Sequence, residues 1–181
     1  MSTKRLLVAL LFVLACTKPK PEKLMDIGEF TLVDQDGRLF HSSSLKGKPA
    51  LLFFGYTHCP DACPTTLSRV ARAYRKAGTA SREIPTLFVS VDPRDTPDVL
   101  KRYLAYFSVI PTIGLTGSKS QIDAVVKQFG AQYEIHDTGS AAGPLVDHTI
   151  RLFLLDRDGD VVRMFDPNDD VNEIAAALRT L

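Results

Sequence analysis

The stretch ALLFFGYTHCPDACPTTLSRVARAY, residues 50–74, changes its hydrophobic period part-way through, and the rest of the chain can be organised around that change. Residues 50–56 form an unbroken apolar run of strand length, the pattern of a central strand buried on both faces. Further on, Leu67, Val70, Ala71 and Tyr74 recur at helical spacing until Gly78. Between strand and helix stand Cys59 and Cys63, four positions apart and each followed by a proline. A strand that feeds a helix leaves its own C-terminal end open, and the helix N-terminus there carries partial positive charge. Reactive groups belong at that junction.

Working outward, FTLVDQDGRLFH (30–41) is two alternating arms around Asp36-Gly37, a hairpin pattern, followed by a turn in SLKGKP. TLFVSVD (86–92) is a second buried strand ended by Pro93. DTPDVLKRYLAYF offers Asp95 and Thr96 as caps and Pro97 in the first turn of a helix reaching about Phe107. Ser118 or Ser120 caps another helix through Phe129, and AQYEIHD reads as a short extended piece before the small-residue loop TGSAAGPLVD. HTIRLFLLD and VVRMFD flank Asp158-Gly159-Asp160 as a second hairpin, and NDDVNEIAAALRTL closes the chain as a helix. Strands alternating with helices and then an antiparallel pair predict an α/β fold, a mixed central sheet with helices on both faces. The order resembles the thioredoxin-like layout, with an added N-terminal β-hairpin and a helical and loop insertion before the last hairpin.

The N-terminus MSTKRLLVALLFVLACTKPKPEK sets the compartment. Lys4 and Arg5 precede an apolar run, Leu6 to Ala15, of ten residues. That is half the ~20 needed to span a bilayer but suits a signal-peptide core. The run ends Leu14-Ala15-Cys16, which resembles a bacterial lipobox whose cysteine is lipidated, and TKPKPEK follows as a polar tether. The expected organisation is a leader at 1–15, a lipidated N-terminus and tether at 16–26, and one domain at 27–181. Such a protein is anchored in the bacterial cell envelope and faces the periplasm, an oxidising compartment. The 22 basic and 21 acidic residues are scattered, so nothing points to nucleic acid. With Cys16 lipidated, only Cys59 and Cys63 remain, and the fold must hold by packing.

Proline disfavours α geometry in the residue before it. Pro64 at the first helical position would therefore make Cys63 the N-cap, with Cys59 in the loop above it. A helix N-terminus lowers thiol pKa. Three intervening residues let the pair close as a disulfide or open so that both sulfurs ligate one ion. Two thiolates under-coordinate most metals, so a third ligand is required. His58 adjoins Cys59 and is expected to point away; His41 ends a hairpin arm in solvent; His136 sits in a polar segment. His148 stands at a loop-to-strand junction, which in a thioredoxin-like layout lies beside the cysteine loop. Cys59, Cys63 and His148 together suit Cu(I), whereas zinc would want a fourth ligand.

LLFFGYTHCPDACPTTL, FVSVDPRDTPDVLKRYLAYF and VDHTIRLFLLDRDGDVVRMF resemble, in order, the Sco (SenC) family. Its members are copper-binding thioredoxin-like proteins that help assemble cytochrome c oxidase. The resemblance implies copper bound by Cys59, Cys63 and His148, and as partners the copper-bearing oxidase subunit and other copper carriers. A monomer is expected. Two functions share these residues: a copper metallochaperone serving the dinuclear copper site, and a thiol-disulfide reductase acting on the oxidase's copper-ligating cysteines. A copper-sensing role is a further alternative, and a peroxidase through Cys59 lacks an evident partner arginine. Asp92, in SVDPRD, either orders the neighbouring loop or simply ends its strand.

Overall fold

The computed structural model describes residues 21–78, 83–139 and 143–180; Cys16 and the leader lie outside them. In chain order the elements are β1 (Thr31–Asp34), β2 (Leu39–His41), a 3-10 turn (Ser42–Leu45), β3 (Ala50–Gly55) and α1 (Ala62–Ala77). Next come β4 (Thr86–Ser90), α2 (Pro97–Ala105), β5 (Thr112–Thr116), α3 (Lys119–Gln128), β6 (Tyr133–His136) and β7 (Leu145–His148). The chain ends with β8 (Leu152–Leu155), β9 (Val161–Phe165) and α4 (Val171–Thr180). Seven strands form one sheet in the order β2-β1-β5-β4-β3-β8-β9. In it β3, β4 and β5 are parallel, while β1 and β8 run antiparallel to their neighbours, which is the mixed α/β arrangement expected. No helix among the described residues is long and apolar enough to cross a membrane.

Every residue of β3 and β4 is buried, as continuous apolar runs require when helices cover both faces. Successive residues of β3 serve opposite faces. Phe53 meets Phe88 edge-on at 5.0 Å, with Tyr103 of α2 beyond it, and Phe54 meets Phe129, just past α3, at 5.6 Å. Such aromatic pairs add about 0.5–1.5 kcal/mol each beyond the area they bury. Helix ends follow their caps: Thr96 accepts from Val99 N–H ahead of Pro97, and Ser118 with Gln121 forms a reciprocal capping box.

Two elements differ from the expectation. β5 carries no clear apolar period, because Gly114 lies under Leu100 and Leu104 of α2 and the flanking threonines are half-buried. It nevertheless completes the parallel core and joins the N-terminal hairpin to the sheet through β1. His148 does not open the strand that leads into LFLL. It ends β7, which pairs with β6 in a separate two-stranded sheet, and β8 starts four residues later at Leu152.

Candidate metal centre

The cysteine loop turns directly off the C-terminal end of β3, with Cys59 N–H donating to the Tyr56 carbonyl at 3.3 Å. α1 then starts at Ala62 with Asp61 as its N-cap. Cys63 is thus not the N-cap but the second helical residue, and Pro64 the third. The steric bias against helix before proline is offset by the bond that the Cys63 amide, an otherwise unpartnered first-turn donor, makes to the Cys59 sulfur. Proline's missing donor costs nothing there, and the Cys63 amide is free to donate to Cys59 Sγ at 3.3 Å. At Gly55 a side chain could not fit, since a Cβ would lie 2.9 Å from Cys63 Sγ. That close approach seats the Cys63 sulfur under the end of β3, only 1% exposed.

The two thiols are therefore unequal. Cys59, half-buried, has its pKa lowered to about 5, chiefly by the hydrogen bond from Cys63 and further by the Cys63 and Asp61 amides, against the opposing effect of burial. Cys63 is pushed strongly upward by that same bond to a thiolate and by burial. The reduced pair is one thiolate leaning on one thiol. Iodoacetamide should accordingly alkylate Cys59 with a rate that plateaus above about pH 6, and leave Cys63 largely unmodified. Peptide mapping across pH would show otherwise if the Cys59 rate kept rising through about pH 8, as an ordinary thiol's does.

His148 approaches from the other side. Tyr133 pairs with it across β6–β7, and Thr149 N–H donates to the Gln132 carbonyl at 3.0 Å just beyond. Its Nδ1–H donates to the Thr149 carbonyl at 3.1 Å, which fixes the tautomer and leaves the Nε2 lone pair facing Cys63 Sγ at 3.6 Å. The Tyr56 ring stands edge-on to the imidazole at 5.9 Å. One donor atom from each of Cys59, Cys63 and His148 lies within 4.8 Å of the other two. Ligands at about 2.0–2.3 Å from one ion lie no more than about 4.6 Å apart, so small adjustments suffice for a shared ion.

Residues 18–181 match the sequence profile of the SCO1/SenC family. The chain belongs to that family. It is 36% identical over 154 residues to an SCO2-like protein of Rickettsia conorii, covering 84% of this chain and 75% of that one. The structure of Bradyrhizobium japonicum ScoI with copper bound superposes with a TM-score of 0.76 at 40% identity, over 84% of this chain and 97% of that one. A SCO1/SenC family lipoprotein from Bacillus anthracis gives a TM-score of 0.75 at 27% identity, over 90% and 97% of the respective chains.

The remaining histidines are placed elsewhere. His41 is exposed and meets Thr31 Oγ1 at 3.0 Å; His136 pairs with Asp147 at 3.0 Å across β6–β7. His58 meets Thr57 Oγ1 at 3.1 Å and lies 3.7 Å from the Asp95 carboxylate. With Asp92 and Asp95 it forms a second group of close donors. Those carboxylates are already committed. Arg94 takes both oxygens of Asp92, and Asp95 accepts from the Thr57 amide and hydroxyl and the Ser90 hydroxyl. Asp92 thus orders its loop rather than merely ending a strand. Sequence reasoning assigns no role to Tyr56 or Arg94 and treats Asp95 as a cap. The available signal is that Thr96 alone suffices to cap α2, which leaves Asp95 unexplained in the sequence.

Proposed function

We propose that this protein is a copper metallochaperone for cytochrome c oxidase, holding one Cu(I) as cargo through Cys59, Cys63 and His148 and passing it to the oxidase's dinuclear copper site. The convergence of those three donors carries the reading. Two soft sulfurs and an imidazole suit Cu(I) in trigonal geometry, and the copper-bound Bradyrhizobium relative supports that cargo. Cargo must also leave. Three ligands leave a coordination position open, and half-buried Cys59 lets an acceptor's thiolate reach the ion and displace the carrier's ligands one at a time. Titrating the reduced protein with Cu(I) against a chromogenic chelator should give one equivalent bound per chain. Failure to compete for any copper would end the proposal.

A thiol-disulfide reductase is the second reading, and the inequality of the thiols favours it specifically. An accessible thiolate at Cys59 can attack a partner disulfide, and buried Cys63 can then resolve the mixed disulfide. The two activities compete for the same sulfurs.

The domain at 27–181 is tethered, in this reading, through lipid on Cys16 to the bacterial cell envelope, facing the periplasm. The apolar run ending in Cys16 supports it, and the Bacillus anthracis relative is itself a lipoprotein. One acyl chain gives only marginal membrane binding, whereas two chains, at about 0.8 kcal/mol per buried CH₂, anchor stably. Cys16→Ser should block processing and shift the mature protein out of the membrane fraction. Unaltered processing and partition in that variant would rule out lipidation at this residue.

A further inference from the structure

His148 is carried by β7, and β7 has no partner in the seven-stranded sheet, so the sheet's hydrogen bonding does not locate the imidazole over the thiols. We propose that Arg94 is the positioning residue that does so, clasping the His148 segment to the cysteine loop. This rests on the copper reading of Cys59, Cys63 and His148 given above.

The loop between β4 and α2 reaches in two directions. Toward the cysteines, Asp95 is 1% exposed and accepts from Thr57 N–H at 2.8 Å and Thr57 Oγ1–H at 2.6 Å, two residues before Cys59. A third bond to its carboxylate, from Ser90 Oγ at 2.7 Å, ties it to the end of β4. Toward the histidine, the Arg94 guanidinium donates through Nη2 to the Pro144 carbonyl at 2.9 Å, immediately before β7 begins. Asp92, 2% exposed, holds the guanidinium from behind, with Nε 3.0 Å from both carboxylate oxygens and Nη2 2.6 Å from one. A fork held on one carboxylate while it donates to a backbone carbonyl is geometry that lysine cannot reproduce.

The other side of the clasp is shaped to match. Gly143, at φ +84°, lies so close to the guanidinium that any Cβ there would run into Arg94 Nη1. Two positions further along β7, Val146 N–H donates to the Tyr56 hydroxyl at 3.4 Å, and the Tyr56 ring abuts His148. Residues 144–148 are therefore gripped at Pro144 by Arg94 and at Val146 and His148 by Tyr56. Loss of a residue that orients a metal ligand typically weakens affinity 10- to 100-fold, without touching the ion itself.

The test compares Arg94→Ala, His148→Ala and the double variant by Cu(I) competition with a chelator, alongside the Cys59–Cys63 equilibrium with glutathione. Arg94→Ala should lose about 10- to 100-fold in Cu(I) affinity. The dithiol–disulfide equilibrium should stay at its wild-type value, a split that general destabilisation would not produce. The double variant should bind copper no worse than His148→Ala alone, since Arg94 acts only through that imidazole. Wild-type affinity in Arg94→Ala, or losses that simply add, would overturn the proposal. Wild-type affinity in His148→Ala would instead overturn the ligand assignment on which it rests. Should Arg94→Ala fail to fold, Arg94→Lys keeps the charge against Asp92 but has no second nitrogen for Pro144. It should show the same loss, and wild-type affinity in it would equally overturn the clasp.

Discussion

Joining Cys59 to Cys63 as a disulfide is expected to abolish Cu(I) binding altogether. The ligating species is the thiolate, and a disulfide sulfur has no such lone-pair charge to offer. Cys59→Ser and Cys63→Ser should each weaken binding by more than the roughly 100-fold ceiling of a merely supporting residue, because each removes a ligand atom. The unequal thiols also predict the proton count. Above about pH 6 Cys59 is already deprotonated, while Cys63, its pKa raised, must give up its proton to bind. Copper uptake should therefore release about one proton per chain, from Cys63, and affinity should rise with pH and fall as pH falls. Chelator competition on oxidised and reduced protein at several pH values measures both effects. Tight binding retained by the oxidised protein would place the ligands elsewhere in the chain.

How far residues alone lead here depends on whether a local pattern has one physical cause or several. The passage from apolar run to helical spacing across 50–74 has one, and β3 and α1 lie where it places them. β5 has none visible, since its glycine and threonines answer to the leucines of α2 packed over them. At Cys63 two local rules conflict. Proline argues against helix in the preceding residue, but an unpaired first-turn amide argues for it once a sulfur is there to accept, and only the folded loop decides. His148 is carried on a two-stranded sheet that sequence reading merges with the following strand, because HTIRLFLL shows no break between them. Asp92, Arg94 and Asp95 each have an ordinary explanation as turn or cap residues. Their joint contact with the loops bearing Cys59 and His148 spans up to fifty positions of sequence, so no local pattern betrays it.

The result that separates copper delivery from thiol reduction is expected from His148→Ala. A dithiol reductase needs the Cys59 thiolate and the resolving Cys63 thiol, and nothing in that exchange requires a nitrogen opposite them. A three-coordinate copper site does require it, since without Nε2 the ion keeps two sulfurs and an open position for water or a foreign thiol. Truncation removes the Nδ1–H bond to the Thr149 carbonyl and the edge-on contact with Tyr56, but the β6–β7 backbone pairing survives it. The fold should lose only about 1 kcal/mol, leaving a folded variant for comparison. Cu(I) affinity should drop, and oxidase activity should fail to recover in cells whose only copy of the protein is the variant. The purified variant should still form and break its disulfide with glutathione much as the wild type does, because the Cys63 amide and side chain, not the imidazole, are the main stabilisers of the Cys59 thiolate. Full recovery of oxidase activity by the folded variant would remove the metallochaperone reading and leave the accessible thiolate at Cys59, with its buried partner, as the functional pair.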